Sequence, residues 1–203
     1  MEVKYPNLKK EYKKHASTTK TVDANKARLG FSFEEAINES NAYYLTKGIA
    51  VIHKKPTPVQ IVSVSYPKRS AAKITEAYFK IPSTTDYNGI FKGRYLDFEA
   101  KQTNSDSFPF AHIYSHQIHH LEEVAKQGGI SFLLIHFNKK DEIFLLDVSL
   151  LSACYANSKE GGRKSIAYTY FKEHGFLIQK GFAPRIPYLD VVQQHYIKTK
   201  EGN

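Results

Sequence analysis

The sequence predicts a mixed α/β fold, a central mixed sheet flanked by helices, with one basic projection. Three observations predict it. Apolar runs at 130–137 and 142–148, joined across Lys139-Lys140-Asp141, have the length and bounding turn of buried strands. Other segments place apolar residues at helical spacing, as in Ile118, Leu121, Val124 and Ala125. The stretch 53–72 fits neither pattern, because Pro56 and Pro58 block both a helix and a central strand. The 203 residues suit one domain, and 14 Tyr and 13 Phe supply bulk for its interior.

Taken in order, residues 1–28 lack apolar periodicity and read as a disordered basic arm ahead of a domain over 29–200. Ser32-Phe33-Glu34-Glu35 is a capping box, so a helix starts there with Phe33, Ile37 and Tyr44 on one face and stops at Gly48. Residues 49–52 read as a buried strand. A partly extended basic excursion, a stalk inserted over about 53–75, precedes a strand at 74–79. Residues 83–101 form a hairpin, and 102–110 a polar loop. A helix from about Ser115 stops at Gly128-Gly129. Ser165 can cap a short helix ending at Gly175, and Pro187 can open a last one through His195.

The formal charge of +9 is concentrated. Residues 1–28 hold eight cations, Arg28 among them, against three acids. Residues 53–80 hold Lys54, Lys55, Lys68, Arg69, Lys73 and Lys80 against Glu76 alone. Two such stretches point to a polyanion partner. Cys154 is the single cysteine, which excludes an intrachain disulfide and a Cys-based zinc site. No run approaches the ~18 apolar residues of a membrane span, and no apolar leader is present. The expected location is the cytoplasm.

The chemistry is in the hairpin. On a strand, Asp97, Glu99 and Lys101 share one face while Leu96, Phe98 and Ala100 pack on the other. If Lys92-Gly93 is the turn, Asp86 falls opposite Glu99, where Cβ atoms lie roughly 4.5–5.5 Å apart. Two carboxylates that close repel unless a cation bridges them, and Mg²⁺ suits such oxygen ligands, with Mn²⁺ as the alternative. Thr84, two residues before Asp86, can add an oxygen from the same strand face. The rival turn, Asn88-Gly89, is the stronger hairpin dipeptide and scatters the site; a kink or bulge at Asn88-Gly89 reconciles it with the Lys92-Gly93 register. Lys101 can stabilise developing negative charge or orient water, and one or two metal ions fit equally. Glu34 either adds outer-shell chemistry or complements the dipole of its helix. His112, His116, His119 and His120 cluster without the H-E-x-x-H pattern, and read as a polar or DNA-facing helix surface.

Asp86 followed by Glu99-Ala100-Lys101 resembles the PD-(D/E)xK nuclease superfamily. The wider sequence resembles the RecU Holliday junction resolvases of Gram-positive bacteria and their phages. The stretches that carry this likeness are 49–62, Tyr66-Pro67-Lys68-Arg69-Ser70, Glu76-Ala77-Tyr78-Phe79, 83–101, His116-Gln117 and 183–188. The resemblance implies a restriction-endonuclease-like fold. It implies metal ligation by Thr84, Asp86, Glu99 and Gln117, with Lys101 as transition-state stabiliser. It also implies a stalk entering the junction centre, a homodimer, four-way and other branched DNA as substrate, and work beside the RecA recombinase. Lys54, Lys55, Lys68, Arg69, Lys73 and Arg28 are the expected DNA contacts. The chain departs from the family in having Leu29-Gly30 where Arg-Gly is common, with Arg28 one place earlier. Two rival functions are a non-catalytic DNA-binding or RecA-regulating protein and a nuclease for linear DNA.

Overall fold

The computed structural model describes residues 32–80 and 84–197. The basic arm and Arg28 lie outside them. Helix α1 (Phe33–Thr46) starts on the expected capping box, with the Ser32 N–H on Glu35 Oε2 at 2.8 Å and the Glu35 N–H on Ser32 Oγ at 3.2 Å. Phe33, Ile37 and Tyr44 are buried, and the chain leaves the helix through Gly48 at φ 65°, a conformation glycine adopts without strain.

Six strands form the main sheet: β1 (Ala50–Lys54), β4 (Tyr87–Phe91), β5 (Arg94–Thr103), β7 (Ile130–Phe137), β8 (Glu142–Asp147) and β10 (Phe176–Ile178), in the order β1-β4-β5-β7-β8-β10. Only β5 and β7 run parallel, and helix α2 (Ser115–Lys126) lies between them in sequence. The sheet is therefore mixed, as expected. Leu96 and Phe98 of β5 and Phe132 and Leu134 of β7 pack with α1 and helix α5 (Tyr188–Tyr196). Leu133, Ile135 and Phe137 of β7 pack on the opposite side with Ile118 and Leu121 of α2 and with helices α3 (Val148–Lys159) and α4 (Tyr168–His174). With both faces covered, β7 reads as a continuous apolar run and not as an alternation.

The hairpin register is the one set by Lys92-Gly93. Tyr87 pairs with Phe98 and Phe91 with Arg94, and both turn residues have positive φ, 49° and 75°. No bulge occurs at Asn88-Gly89: the ladder runs unbroken through Asn88↔Asp97 and Gly89↔Leu96. Glycine serves a different need there. A Cβ on Gly89 would stand 2.1 Å from the Val51 carbonyl oxygen, so its absence lets β1 lie against β4.

Strands β2 (Val59–Ser65) and β3 (Lys73–Phe79) form a separate two-stranded sheet in which every residue is exposed. The stalk hairpin thus runs to Phe79, beyond the expected limit near 75, because 74–79 pairs with β2 and not with the main sheet. Four elements were not expected. Helix α3 is opened by Asp147, whose Oδ1 accepts the Ser149 N–H at 2.8 Å. Ser165 caps nothing: it begins strand β9 (Ser165–Ala167), which pairs with β6 (Ser107–Pro109), and α4 starts three residues later. Strand β10 closes the far edge of the sheet. Among the described residues no helix is long and apolar enough to cross a membrane.

Phe98 stacks at 4.9 Å on both Tyr87 and Phe132, its partners on the two neighbouring strands. Replacing Phe98 with Ala is expected to cost roughly 3–5 kcal/mol of folding free energy, read as a lower urea midpoint by circular dichroism.

Candidate active site

Strand β5 sets the site. With Leu96 and Phe98 committed to one face, Asp97, Glu99 and Lys101 take the other. This is no solvated face: Asp97 and Glu99 are both fully buried, and Lys101 is partly so. Asp86 stands just before β4, at the position opposite Glu99. Its backbone N–H donates to Glu99 Oε2 at 3.1 Å, and its Oδ2 accepts the Ala100 N–H at 3.4 Å. Lys101 Nζ forms an ion pair with Glu99 Oε1. The three residues expected to do the chemistry are together.

Electrostatics follow from this packing. Burial, and then the neighbouring Asp86 charge, push the Glu99 carboxyl up from 4.5 to about 7, while Lys101 pulls it back down. A carboxylate in that position gains from a bridging cation. Asp86 and Glu99 are hard oxygen donors, the kind that Mg²⁺ prefers. Among the described residues no group of three or more His, Cys, Asp or Glu side chains is arranged to hold a metal.

Ser32, Phe33, Glu34, Asp86, Ala100, Lys101 and Gln102 line a cleft of about 290 Å³ at this point. Glu34 therefore faces the same space as Asp86 and Lys101, and also pairs with Lys54 at 2.5 Å. Thr84 and Asp86 precede β4 and do not share a strand face. The Thr85 hydroxyl between them bonds Asp97. Gln117 is buried in the first turn of α2, where its Oε1 accepts the Tyr114 N–H at 3.0 Å.

The expected DNA contacts separate. Lys68 and Lys73 are exposed on the stalk hairpin, and Arg69 begins the short turn between its strands. Lys54 is exposed at the end of β1. Lys55 turns inward: its ammonium meets Asp97 Oδ2 at 2.8 Å and Thr85 Oγ1 at 2.9 Å. Sequence reasoning placed Asp97 on the correct face but gave it no role. The structure makes it the partner of Lys55, Thr85, Tyr95 and His120. The four histidines do not converge. His120 faces Asp97 at 3.1 Å, His119 faces Glu122 at 3.6 Å, and His116 stacks on Tyr114.

Known proteins resemble this chain over most of its length. The family model described as "RecU: Recombination protein U" matches residues 28–194. A Holliday junction resolvase RecU of Geobacillus kaustophilus is 48% identical over 197 residues, covering 97% of this chain and 98% of its own. One from Bacillus cereus is 48% identical over 199 residues, covering 97% and 99%. One from Streptococcus sanguinis is 54% identical over 171 residues, covering 84% of each. The structure of Hjc, a Holliday junction resolvase of Archaeoglobus fulgidus, overlaps 69% of this chain and 93% of its own at 11% identity with a TM-score of 0.40, a likeness too slight to carry weight. The full-length identity to these relatives and the match over 28–194 decide the matter: the chain belongs to the RecU family.

Proposed function

We propose that the chain is a divalent-cation-dependent endonuclease that resolves four-way DNA junctions by hydrolysing phosphodiester bonds. The observation that carries this reading is the buried Glu99 carboxylate held against Asp86 and Lys101, the latter two lining an open cleft. The names of the relatives supply the substrate class. Mg²⁺ or Mn²⁺ bound by Asp86 and Glu99, with Thr84 and Gln117 as further oxygen donors, would supply a Lewis acid for a phosphate oxygen and lower the pKa of water. Lys101 places an ammonium where negative charge grows on the phosphate in the transition state. The Glu99 contact with the Asp86 N–H fixes the spacing of the two carboxylates before substrate arrives. Glu34 adds a third carboxylate across the cleft and keeps Lys54 beside it.

The exposed stalk, with Lys68 and Lys73, suits a branched polyanion better than a smooth duplex, since a hairpin with both faces free can enter an opening. Resolution needs two matched cuts, which two copies related by a two-fold axis supply. An apolar row supports such pairing. Val51, Ile90 and Tyr95 are neighbours across β1, β4 and β5, and are 47%, 56% and 40% exposed. The resemblance also implies work beside the RecA recombinase.

Glu99→Gln keeps the size and removes the charge. Cleavage of a labelled four-way junction in Mg²⁺ is expected to fall at least ~100-fold, a barrier increase of about 2.7 kcal/mol, while junction binding in EDTA persists. Wild-type turnover in this variant would remove the site, and binding without cutting by the wild-type chain would leave a DNA-binding protein only.

The raised Glu99 value makes a second prediction. The cation-free folded chain keeps a proton there that the unfolded chain has lost, so stability declines as pH rises from 4.5 through about 7. Mg²⁺ takes the carboxylate form. The rise in melting temperature on adding Mg²⁺ is therefore expected to be small near about pH 5.5 and to grow to a plateau above about pH 7.5, and to lose this pH dependence in Glu99→Gln.

Sedimentation is expected to give twice the 23.2 kDa chain mass. Ile90→Lys is expected to return monomers that nick one strand of a junction. A dimer unmoved by Ile90→Lys would place the interface elsewhere.

A further inference from the structure

One buried carboxylate has no part in the reaction above. Asp97 is fully buried, one step along the same strand face from Glu99. Its Oδ2 accepts from Lys55 Nζ at 2.8 Å and from the Tyr95 hydroxyl at 2.9 Å, and lies 3.1 Å from His120 Nε2. Its Oδ1 accepts the Thr85 hydroxyl. Burial of a carboxylate demands partners, but it does not dictate where they come from. Here each comes from a segment that carries another part of the site. Thr85 sits between Thr84 and Asp86. His120 is three residues from Gln117 on α2, so the two are neighbours on the helix surface. Lys55 follows β1, where the chain leaves the main sheet for the stalk.

Lys55 is tied twice. Its ammonium donates to Asp97 and to Thr85 Oγ1 at 2.9 Å, and its backbone N–H donates to the Asp86 carbonyl at 2.8 Å. The Asp86 N–H in turn rests on Glu99. Movement of the stalk root cannot occur without moving Asp86 or breaking one of these bonds.

We propose that Asp97 is a positioning residue for junction cleavage: through Lys55 and Thr85 it fixes Asp86 against Glu99 and joins the root of the stalk to that acidic pair. This rests on the nuclease reading above and adds a residue outside the reacting groups. Loss of the Asp97 charge frees Lys55 and Thr85, loosens the segment that carries Thr84 and Asp86, and weakens cation capture without altering the DNA-facing surface.

The test uses the full-length chain with Asp97→Asn and, separately, Thr85→Val, which removes a single hydroxyl. Four quantities are read: the Mg²⁺ midpoint of the thermal shift without DNA, kcat and KM on a four-way junction, junction Kd in EDTA, and amide hydrogen exchange at Lys55 and Asp86. For Asp97→Asn the Mg²⁺ midpoint is expected to rise and kcat to fall by ~10–100-fold each, as for other supports of metal ligands. KM and Kd stay within about twofold, and both amides exchange faster. Thr85→Val moves the same quantities in the same direction by less. Combining Lys55→Met with Asp97→Asn adds little to Asp97→Asn alone, because the two act through one contact. A lower melting temperature with an unchanged Mg²⁺ midpoint, kcat and exchange would show that Asp97 only holds the fold, and would overturn the proposal. If Asp97→Asn does not fold, Thr85→Val decides on the same readouts, and wild-type values there overturn it. A wild-type chain that cuts nothing would sink the nuclease reading, while the Mg²⁺ midpoint and exchange at Lys55 and Asp86 would still judge the positioning role.

Discussion

Strand β5 carries two carboxylates, Asp97 and Glu99, through the middle of the sheet with no exposure to water. A charge in that position is stable only if donors reach it from neighbouring elements. The surrounding structure meets that demand. Lys55, Thr85, Tyr95 and His120 meet Asp97, while Lys101 and the Asp86 N–H meet Glu99. The opposite face of the strand makes this possible. Phe98, stacked between Tyr87 and Phe132, anchors β5 in the apolar layer under α1 and α5 and fixes which residues turn the other way. A slip of one residue would exchange the carboxylates for Leu96 and Phe98 and abolish the site.

Much of this was legible in the sequence because the signals were local. The capping box at Ser32 and Glu35, the apolar runs of β7 and β8, and the Lys92-Gly93 register each depend on a few adjacent residues. The register is what brought Asp86 and Glu99 together on paper. Asn88-Gly89 misled, since glycine there answers to a strand from elsewhere in the chain, β1, and not to a turn. Helix α3 escaped because its apolar residues spread around the helix, leaving only the Asp147 cap to announce it. Strand β10 is three residues long and takes its meaning entirely from pairing with β8.

The site divides along the same line. Asp86, Glu99 and Lys101 were readable from alternation, and Gln117 and Thr84 came from resemblance alone or in part. The Asp97 contact of Lys55 was hidden for a physical reason. A lysine in a basic stretch looks like a phosphate contact, but the carboxylate that claims it is 42 residues away in sequence. Sequence separation also hid the meaning of His120, whose partner lies on β5 and not on its own helix.

The ladder of the stalk is irregular. Ile61 pairs with Ala77 and Ser63 with Glu76, and the register shifts again before Val64 meets Ile74. Such irregularity adds local twist and breaks the even spacing of backbone groups along each edge. The hairpin exposes Val59, Ile61, Val62, Val64 and Ile74, a composition that invites strand-to-strand aggregation between molecules. Pro56 and Pro58 at its root and the lysines at its tip and end work against that, and the irregular register denies an incoming strand a flat template. A bare β-ribbon can thus discourage edge-to-edge pairing between molecules without being covered.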